Sequence, residues 1–446
     1  MPRAKDVVTK TQTPKGTVDL MPEEAWKRQF MERAFTRVFE SWGYQEIRTP
    51  TFEYFNALST GTGLELQDSM FVFQDKAGRL LALRPENTAS IARVAATKLL
   101  AVPRPIRLYY IAPMFRYDEP QAGRQREFWQ AGIELIGVPG AEGDAEVITV
   151  FIDDLQSVGL KDLKVDIGHV GLFLSVVKAS GISWDEADIL RRLIDKKDFN
   201  GLEKALVDVN CSEEFKEVFR RLPSLRGGKE VINDVEELIG SDEFPEIKVN
   251  IENLIEAYDL LVDYGVEDSI ALDLGIVRGL DYYTGTVFEA YVPEFDLAIG
   301  GGGRYDNLIT EFRTSVGVAG ETIHATGFSI GIDRTLIALE KQGFGFPKRP
   351  PYFMVIWLDD SLRNLTLKTS LKLRKKGFTV ISEVRGRKLS NALEYANKMN
   401  VTAVLLFGKK EVEKGKIAVK NMKTGEQEEV PISDIEKHLS KISKVK

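Results

Sequence analysis

The order of hydrophobic and polar positions divides the chain into recognisable elements. From Glu23 to Trp42 a large or apolar residue recurs every four positions, at Trp26, Phe30, Ala34, Val38 and Trp42, with Pro22 ahead of it and Gly43 behind. That spacing predicts one amphipathic helix. The next stretch, YQEIRTPTFE, reads as a strand, and Pro50 inside it suits an edge or an interface. Ile106 to Arg116 and Glu127 to Ile136 predict two strands of a long hairpin, joined by the charged loop YDEPQAGRQR. On the return strand Phe128, Gln130, Gly132 and Glu134 share one face, while Trp129, Ala131, Ile133 and Leu135 share the other. A glycine between a glutamine and a glutamate suits the approach of a flat ligand. Ile270 to Ile276, Gly285 to Tyr291 and Gly327 to Ile332 continue the strand pattern, and Asp333 to Leu339 begins a helix. Hairpin-connected strands with helices between them predict an α+β domain built on an antiparallel sheet.

The pattern changes near the C-terminus. PYFMVIWL, SLRNLTLKTSLKLRKKG, FTVISEV, KLSNALEYANKMN and TAVLLFG alternate strand and helix, which predicts a small α/β sheet. Before it lies KQGFGFPKRPP, whose two glycines and three prolines mark a linker at residues 341–351. A chain of 446 residues holds two or three domains at ~150 residues each. We therefore expect a body at 1–340 and a module at 352–446.

Charge follows the same division. The net charge is -7, but Pro347 to Lys446 carries 22 basic and 11 acidic residues, a net of +11 against -18 for the rest. A basic module on an acidic body suits a polyanionic partner, although a lysine-rich solvated surface would give the same balance. Within the body, Ser183 to Leu272 holds 11 basic and 23 acidic residues in helical patterns. It reads as an acidic helical insertion at about 175–268, which would repel phosphates except at local basic spots.

Composition excludes several classes. Charge interrupts every apolar stretch, so no segment is suited to crossing a bilayer and no membrane partner is expected. The first residues lack the apolar run of a secretory signal, and Cys211 is the sole cysteine. A cytoplasmic setting is expected, without an intrachain disulfide or a multi-cysteine zinc site. No GxxxxGK[ST] loop or helix-opening GxGxxG occurs, and His169, His324 and His438 stand too far apart for HExxH. No metal site is expected from histidine and cysteine, and phosphate chemistry must rest on arginine, glutamate, tyrosine and backbone amides.

These residues carry a family resemblance. Leu108 to Gly137 is similar to motif 2 of the class II aminoacyl-tRNA synthetases, Gly327 to Leu339 to motif 3, and the helix to Trp42 with the strand to Pro50 to motif 1. RGLDYYTGTVFE (Arg278 to Glu289) and GGGRYDNL (Gly301 to Leu308) resemble two motifs peculiar to the histidyl-tRNA synthetase family. With PKGTVDLMP (Pro14 to Pro22) and the C-terminal module, the resemblance covers nearly the whole chain. It implies a catalytic domain of the class II type with a helical insertion, followed by an α/β anticodon-binding domain. The implied reaction joins histidine to ATP, with Mg2+, as histidyl-adenylate, and then moves histidine to the 3' end of tRNA(His). A homodimer is implied, its interface formed by motif 1.

By motif position, Arg116 holds the α-phosphate, Arg334 the ATP tail, and Arg278 lies across the α-phosphate as a catalytic cation. Planar guanidinium forks suit such oxygens. Glu86 and Thr88 meet the amino group of histidine, Gln130 its carboxylate end, and Glu134 with Tyr283 the imidazole nitrogens. Arg124 and Arg126, at the loop exit, are placed for the tRNA acceptor end. Arg304 and Tyr305 belong to the second family-specific motif, with roles left open. Asn87 departs from the pattern, since glycine often follows the RPE of RPEGT in this family. Two rivals share parts of the pattern: a synthetase-like regulatory subunit of ATP phosphoribosyltransferase, which lacks the anticodon module, and the synthetase-like sensor domain of a kinase.

Overall fold

The structure, a computed structural model, describes residues 11–121, 123–239, 244–277, 282–293, 295–315, 317 and 320–444. It divides into two units, Met1–Gly345 and Phe346–Lys446. Among the described residues of the larger unit, twelve strands run in chain order. They are β1 (Gln45–Glu46), β2 (Phe52–Tyr54), β3 (Val72–Gln74), β4 (Leu80–Leu83), β5 (Ile106–Phe115) and β6 (Glu127–Ile136). Then come β7 (Lys164–His169), β8 (Arg226–Gly227), β9 (Ile270–Asp273), β10 (Thr286–Val292), β11 (Phe295–Arg304) and β12 (Ala325–Gly331). Nine form one sheet in the order β1-β5-β6-β12-β11-β10-β7-β9-β8, and β2-β4-β3 form another. From β5 across to β7 every neighbour is antiparallel. Parallel pairing enters beyond them, at β1 with β5 and at β7 with β9.

The expected strand through Pro50 is instead two short strands in two sheets. Proline offers no N–H to a ladder, so β1 ends at Glu46 beside β5, and β2 begins at Phe52 beside β4. The first helix, Pro22–Ser41, starts on a proline, and the Glu24 carboxylate accepts the Met21 N–H at 2.8 Å. Its buried face is Met31, Ala34, Phe35, Val38 and Phe39. Trp26, Phe30 and Trp42 are half-buried, so the sheet-facing stripe lies one step round from the four-residue repeat. A true helical repeat needs both i+3 and i+4 steps, and 31/34/35/38/39 supplies them.

Hydrophobic layers cover both faces of the large sheet. On one, helix Ala141–Ser157 sets Phe151 against Phe288 and Phe328, with ring centroids 5.3 and 4.9 Å apart. On the other, Tyr110, Tyr282, Tyr305, Leu308 and Ile309 pack with Ile91 and Ala95 of helix Thr88–Thr97. The polar face of β6 is therefore enclosed, and Gln130 and Glu134 on it are 8% and 1% exposed.

Between β7 and β9 the chain makes helices Val170–Ser180, Trp184–Asp195, Phe199–Asp208, Glu213–Arg221, Glu230–Ile239 and Pro245–Asp263. Midway, β8 pairs with β9 and stitches this segment into the main sheet. Arg226 bonds Asp166 at 2.8 Å, and Lys197 bonds the buried Asp273 at 2.8 Å.

The smaller unit holds β13 (Tyr352–Trp357), β14 (Thr379–Ser382), β15 (Ala403–Phe407), β16 (Lys416–Asn421) and β17 (Gln427–Pro431), ordered β14-β13-β15-β16-β17. The first three are parallel, as strand–helix alternation dictates, and β16 and β17 add an antiparallel hairpin that the sequence pattern missed.

Candidate active site

Strand β6 lies between β5 and β12, so side chains on its enclosed face meet groups from two distant segments. Glu134 is the centre of this arrangement. Thr88 Oγ1 donates to its Oε1 at 2.8 Å, and the Tyr305 hydroxyl donates to its Oε2. Opposite it on β12 is Gly327, where an added Cβ would fall 2.0 Å from Glu134 Oε2. Only a residue without a side chain leaves that carboxylate its space. Burial raises the Glu134 carboxyl to about 8, against the two hydroxyl bonds that favour its charged form.

The loop leading into helix Thr88–Thr97 supplies the second group. Glu86 is 5% exposed, and its oxygens accept the N–H groups of Thr88 at 2.6 Å and Ala89 at 2.9 Å. The carboxylate thus satisfies two orphan donors at the start of the helix, where the helix dipole favours negative charge. Arg116, just past β5, ties itself to the same loop, since its Nε donates to Pro85 O at 2.9 Å. Its guanidinium also lies 5.3 Å from the Phe128 ring centroid.

A cavity of about 850 Å³ opens beside these groups, lined by Arg116, Arg124, Gln130, Tyr283, Ser329 and Arg334 together with Gly300 to Gly302. Its volume suits a nucleotide and a small amino acid together. Gln130 Nε2 donates to Ser329 Oγ at 3.1 Å, while Gln130 Oε1 is buried with no partner among the described residues. Arg334 donates from Nε to Gly123 O at 2.9 Å and from Nη1 to Ala298 O at 2.8 Å. Tyr283 packs on Tyr282 with centroids 5.1 Å apart, and burial raises its hydroxyl well above the usual range.

Arg116, Gln130, Tyr283 and Arg334 therefore line one cavity, whereas Glu86, Thr88 and Glu134 form a hydrogen-bonded group outside its lining, tied to it by the Arg116 bond to Pro85 O and by the strand face that Glu134 shares with Gln130. Arg278 lies outside the described residues. The two hairpin arginines part company: Arg124 lines the cavity, whereas Arg126 stacks over Tyr117 at 3.9 Å and donates to Asp118 O at 3.0 Å. Gly132 makes room for something other than a flat ligand. A Cβ there would meet Phe328 O at 2.3 Å and the Tyr110 hydroxyl at 2.7 Å. Arg304 is buried away from the cavity, bonded to Asp144 at 3.0 Å, Val138 O at 2.9 Å and Gly140 O at 2.8 Å. Tyr305, its neighbour, reaches Glu134 instead.

Sequence reasoning missed Ser329, which anchors Gln130, and the basic end of helix Trp184–Asp195. There Arg191, Arg192 and Lys196 line the cavity with Asp188 and Asp195, and both arginines pair with Asp188.

A mostly antiparallel sheet, a charged hairpin on β5 and β6, and an arginine-bearing helix after β12 define the catalytic architecture of a class II aminoacyl-tRNA synthetase. A family profile described as histidyl-tRNA synthetase matches residues 16–335, and one described as an anticodon binding domain matches 353–442. The histidine–tRNA ligase of Methanocaldococcus jannaschii is 41% identical over 424 residues, 95% of this chain and 98% of that one. That of Thermococcus kodakarensis is 44% identical over 428 residues, 93% and 95% of the two chains. A solved Bacillus halodurans structure, described as an ATP phosphoribosyltransferase regulatory subunit/histidyl-tRNA synthetase, matches with a TM-score of 0.77 and 30% identity. It covers 90% of this chain and 99% of its own. The chain belongs to the histidyl-tRNA synthetase family.

Proposed function

We propose that this chain is a histidine–tRNA ligase that activates histidine with ATP and transfers it to the 3' end of tRNA(His). The observation that carries the reading is Glu134, a buried carboxyl group held by Thr88 and Tyr305 on the same strand face as Gln130, which lines a cavity large enough for both substrates. An imidazole is the amino-acid side chain that offers ring nitrogens to such a group, and Tyr283 lines the same cavity as Gln130. A site built on buried hydrogen bonds rejects analogues lacking the partner by about 10⁴ to 10⁵, so the insertion needs no editing role.

In the first step the histidine carboxylate attacks the α-phosphorus and pyrophosphate leaves. Charge then crowds onto one phosphorus centre, where Arg116 and Arg278 would stabilise it, with Arg334 on the ATP tail. Glu86 and Thr88 would take the ammonium group and Gln130 the carboxylate end. For the last role the Gln130 amide must present its Nε2 to the cavity, with Ser329 donating to Oε1, the flipped form of the bond described above. Among the described residues no group of three or more His, Cys, Asp or Glu is placed to hold a metal ion. Mg2+ in this reading arrives on the ATP phosphates, whose oxygens it prefers to a protein cage.

Two further parts belong to the proposal. The chain works as a homodimer in the cytoplasm, with a second copy on the outer side of helix Pro22–Ser41. A cavity of about 740 Å³ there is lined by Gln29, Arg33, Arg48 and Thr49, and Phe52, Tyr54 and Phe73 stand exposed nearby on β2 and β3. The basic unit takes the tRNA, a reading supported by the anticodon binding domain profile that matches residues 353–442. No helix among the described residues is long and apolar enough to cross a membrane. The test is histidine-dependent exchange of labelled pyrophosphate into ATP. Absence of exchange in folded protein would overturn the synthetase reading, and exchange with another amino acid would overturn the substrate.

A further inference from the structure

Asn87 occupies the N-cap position of helix Thr88–Thr97, yet its side chain makes no capping bond. An asparagine there ordinarily accepts an N–H of the first turn. Glu86 does that work instead, through both oxygens. Asn87 is 1% exposed, and its Oδ1 accepts a hydrogen bond from the Thr49 hydroxyl at 2.6 Å. Thr49 is itself engaged from the other side: Arg84 Nη1 donates to its carbonyl at 3.1 Å and to its hydroxyl at 3.2 Å. Arg84 Nε donates to Pro113 O at 2.9 Å, and the Arg116 bond to Pro85 O completes the ring. The turn 84–88 is thus clamped between the Thr49 segment and the end of β5. Most of its anchors are backbone carbonyls, but the Thr49–Asn87 bond joins two side chains and can be removed without touching a substrate-facing group.

We propose that Asn87 is a positioning residue for histidine binding. Through Thr49 it fixes the turn that presents the Glu86 carboxylate and the Thr88 hydroxyl, so these groups meet the amino acid already oriented. Without the latch, binding histidine must also order the turn, and that cost appears in histidine affinity. Of the ATP contacts, Arg334 is anchored outside the turn, on Gly123 O and Ala298 O, and Arg116 meets it only through the Pro85 carbonyl, not through Thr49 or Asn87. The inference rests on the reading of Glu86 and Thr88 as the amino-group site.

Pyrophosphate exchange by the full-length protein tests it, with KM measured separately for histidine and ATP. Thr49→Val and Asn87→Ala should each raise the histidine KM about tenfold, with the ATP KM within about twofold of the parent. Thr49→Ser, which keeps the hydroxyl, should restore parental behaviour. The double variant should be no worse than the poorer single one, because both remove the same bond. Glu86→Gln is the control for the underlying reading. If it raises the histidine KM while Thr49→Val and Asn87→Ala leave it unchanged, the latch is overturned and the amino-group site stands. If Glu86→Gln has no effect on histidine, the site reading fails and the latch with it. Equal rises in both KM values, or a Thr49→Ser variant as poor as Thr49→Val, would mean a generally loosened domain and would also overturn the proposal.

Discussion

Thr88 donates its hydroxyl to Glu134 across 46 residues of sequence, joining the first turn of a helix to the open end of the β5–β6 hairpin. The bond places two candidate histidine contacts in one hydrogen-bonded unit, so neither can be changed in isolation. Thr88→Val keeps the shape and deletes the donor. It should raise the histidine KM about tenfold while the protein stays folded, since a buried acceptor loses one of its two partners. Steady-state exchange kinetics check this, and an unchanged KM would separate Thr88 from the site.

Glu134 should give the histidine-free protein a pH-dependent stability. Its carboxyl titrates near 8 in the folded chain and near 4.5 when unfolded, so the native state binds the extra proton between those values. That contribution is complete below about pH 4.5 and is lost as pH rises through about 8. The melting-temperature difference between the parent and Glu134→Gln should therefore move against the parent from pH 5 to pH 8. A difference constant across that range would show that the group is ionised throughout.

Gly327→Ala should abolish histidine binding more completely than it harms the fold. The new methyl would lie 2.0 Å from Glu134 Oε2 and 2.4 Å from Ile133 O. Relief of such overpacking costs about 1–3 kcal/mol and must displace the carboxylate. Calorimetric titration with histidine, beside a thermal melt, separates the two effects. Retained affinity would show that the carboxylate does not need its present position.

Arg304→Ala should destabilise by about 3–5 kcal/mol, because it strands the buried Asp144 carboxylate and removes the bonds to Val138 O and Gly140 O. Chemical denaturation measures the change. A loss of catalysis at full stability would instead place Arg304 in the reaction.

Ending the chain within residues 341–351 should leave pyrophosphate exchange within a few-fold of the parent and remove most tRNA charging, since every first-step group named above lies before that point. In the intact protein, tRNA affinity should fall steeply with salt as phosphate contacts release counterions. Filter binding at several salt concentrations gives the slope. Loss of exchange in a folded truncated protein would overturn this division of labour.

Much of this was readable from residue order, and the exceptions have physical causes. The β5–β6 hairpin was legible because ten-residue alternation has no helical counterpart. Strand β11 was not, since its four consecutive glycines carry no strand propensity. The ladder tolerates them because side chains would collide with neighbouring strands: a Cβ at Gly302 would fall 2.1 Å from Gly327 O. Glu86 was placed by motif, but its double bond to a helix start depends on loop geometry that no spacing rule supplies. Tyr305 was named without a role because its partner stands 171 positions away. Gly132 was given the wrong neighbour: alternation fixed its face, while the hydroxyl opposite it belongs to Tyr110 on the paired strand.

The short β8 strand bears on how this lineage could lose or exchange its insertion. Two residues, Arg226 and Gly227, seal the outer border of β9 and supply a cation beside the buried Asp273. Excising the helical segment between β7 and β9 would remove more than a peripheral decoration. It would bare unpaired amide and carbonyl groups along β9 and strand an aspartate that is 2% exposed. A shortened descendant would need a replacement border strand or a change at Asp273, and without either its fate is edge-to-edge self-association.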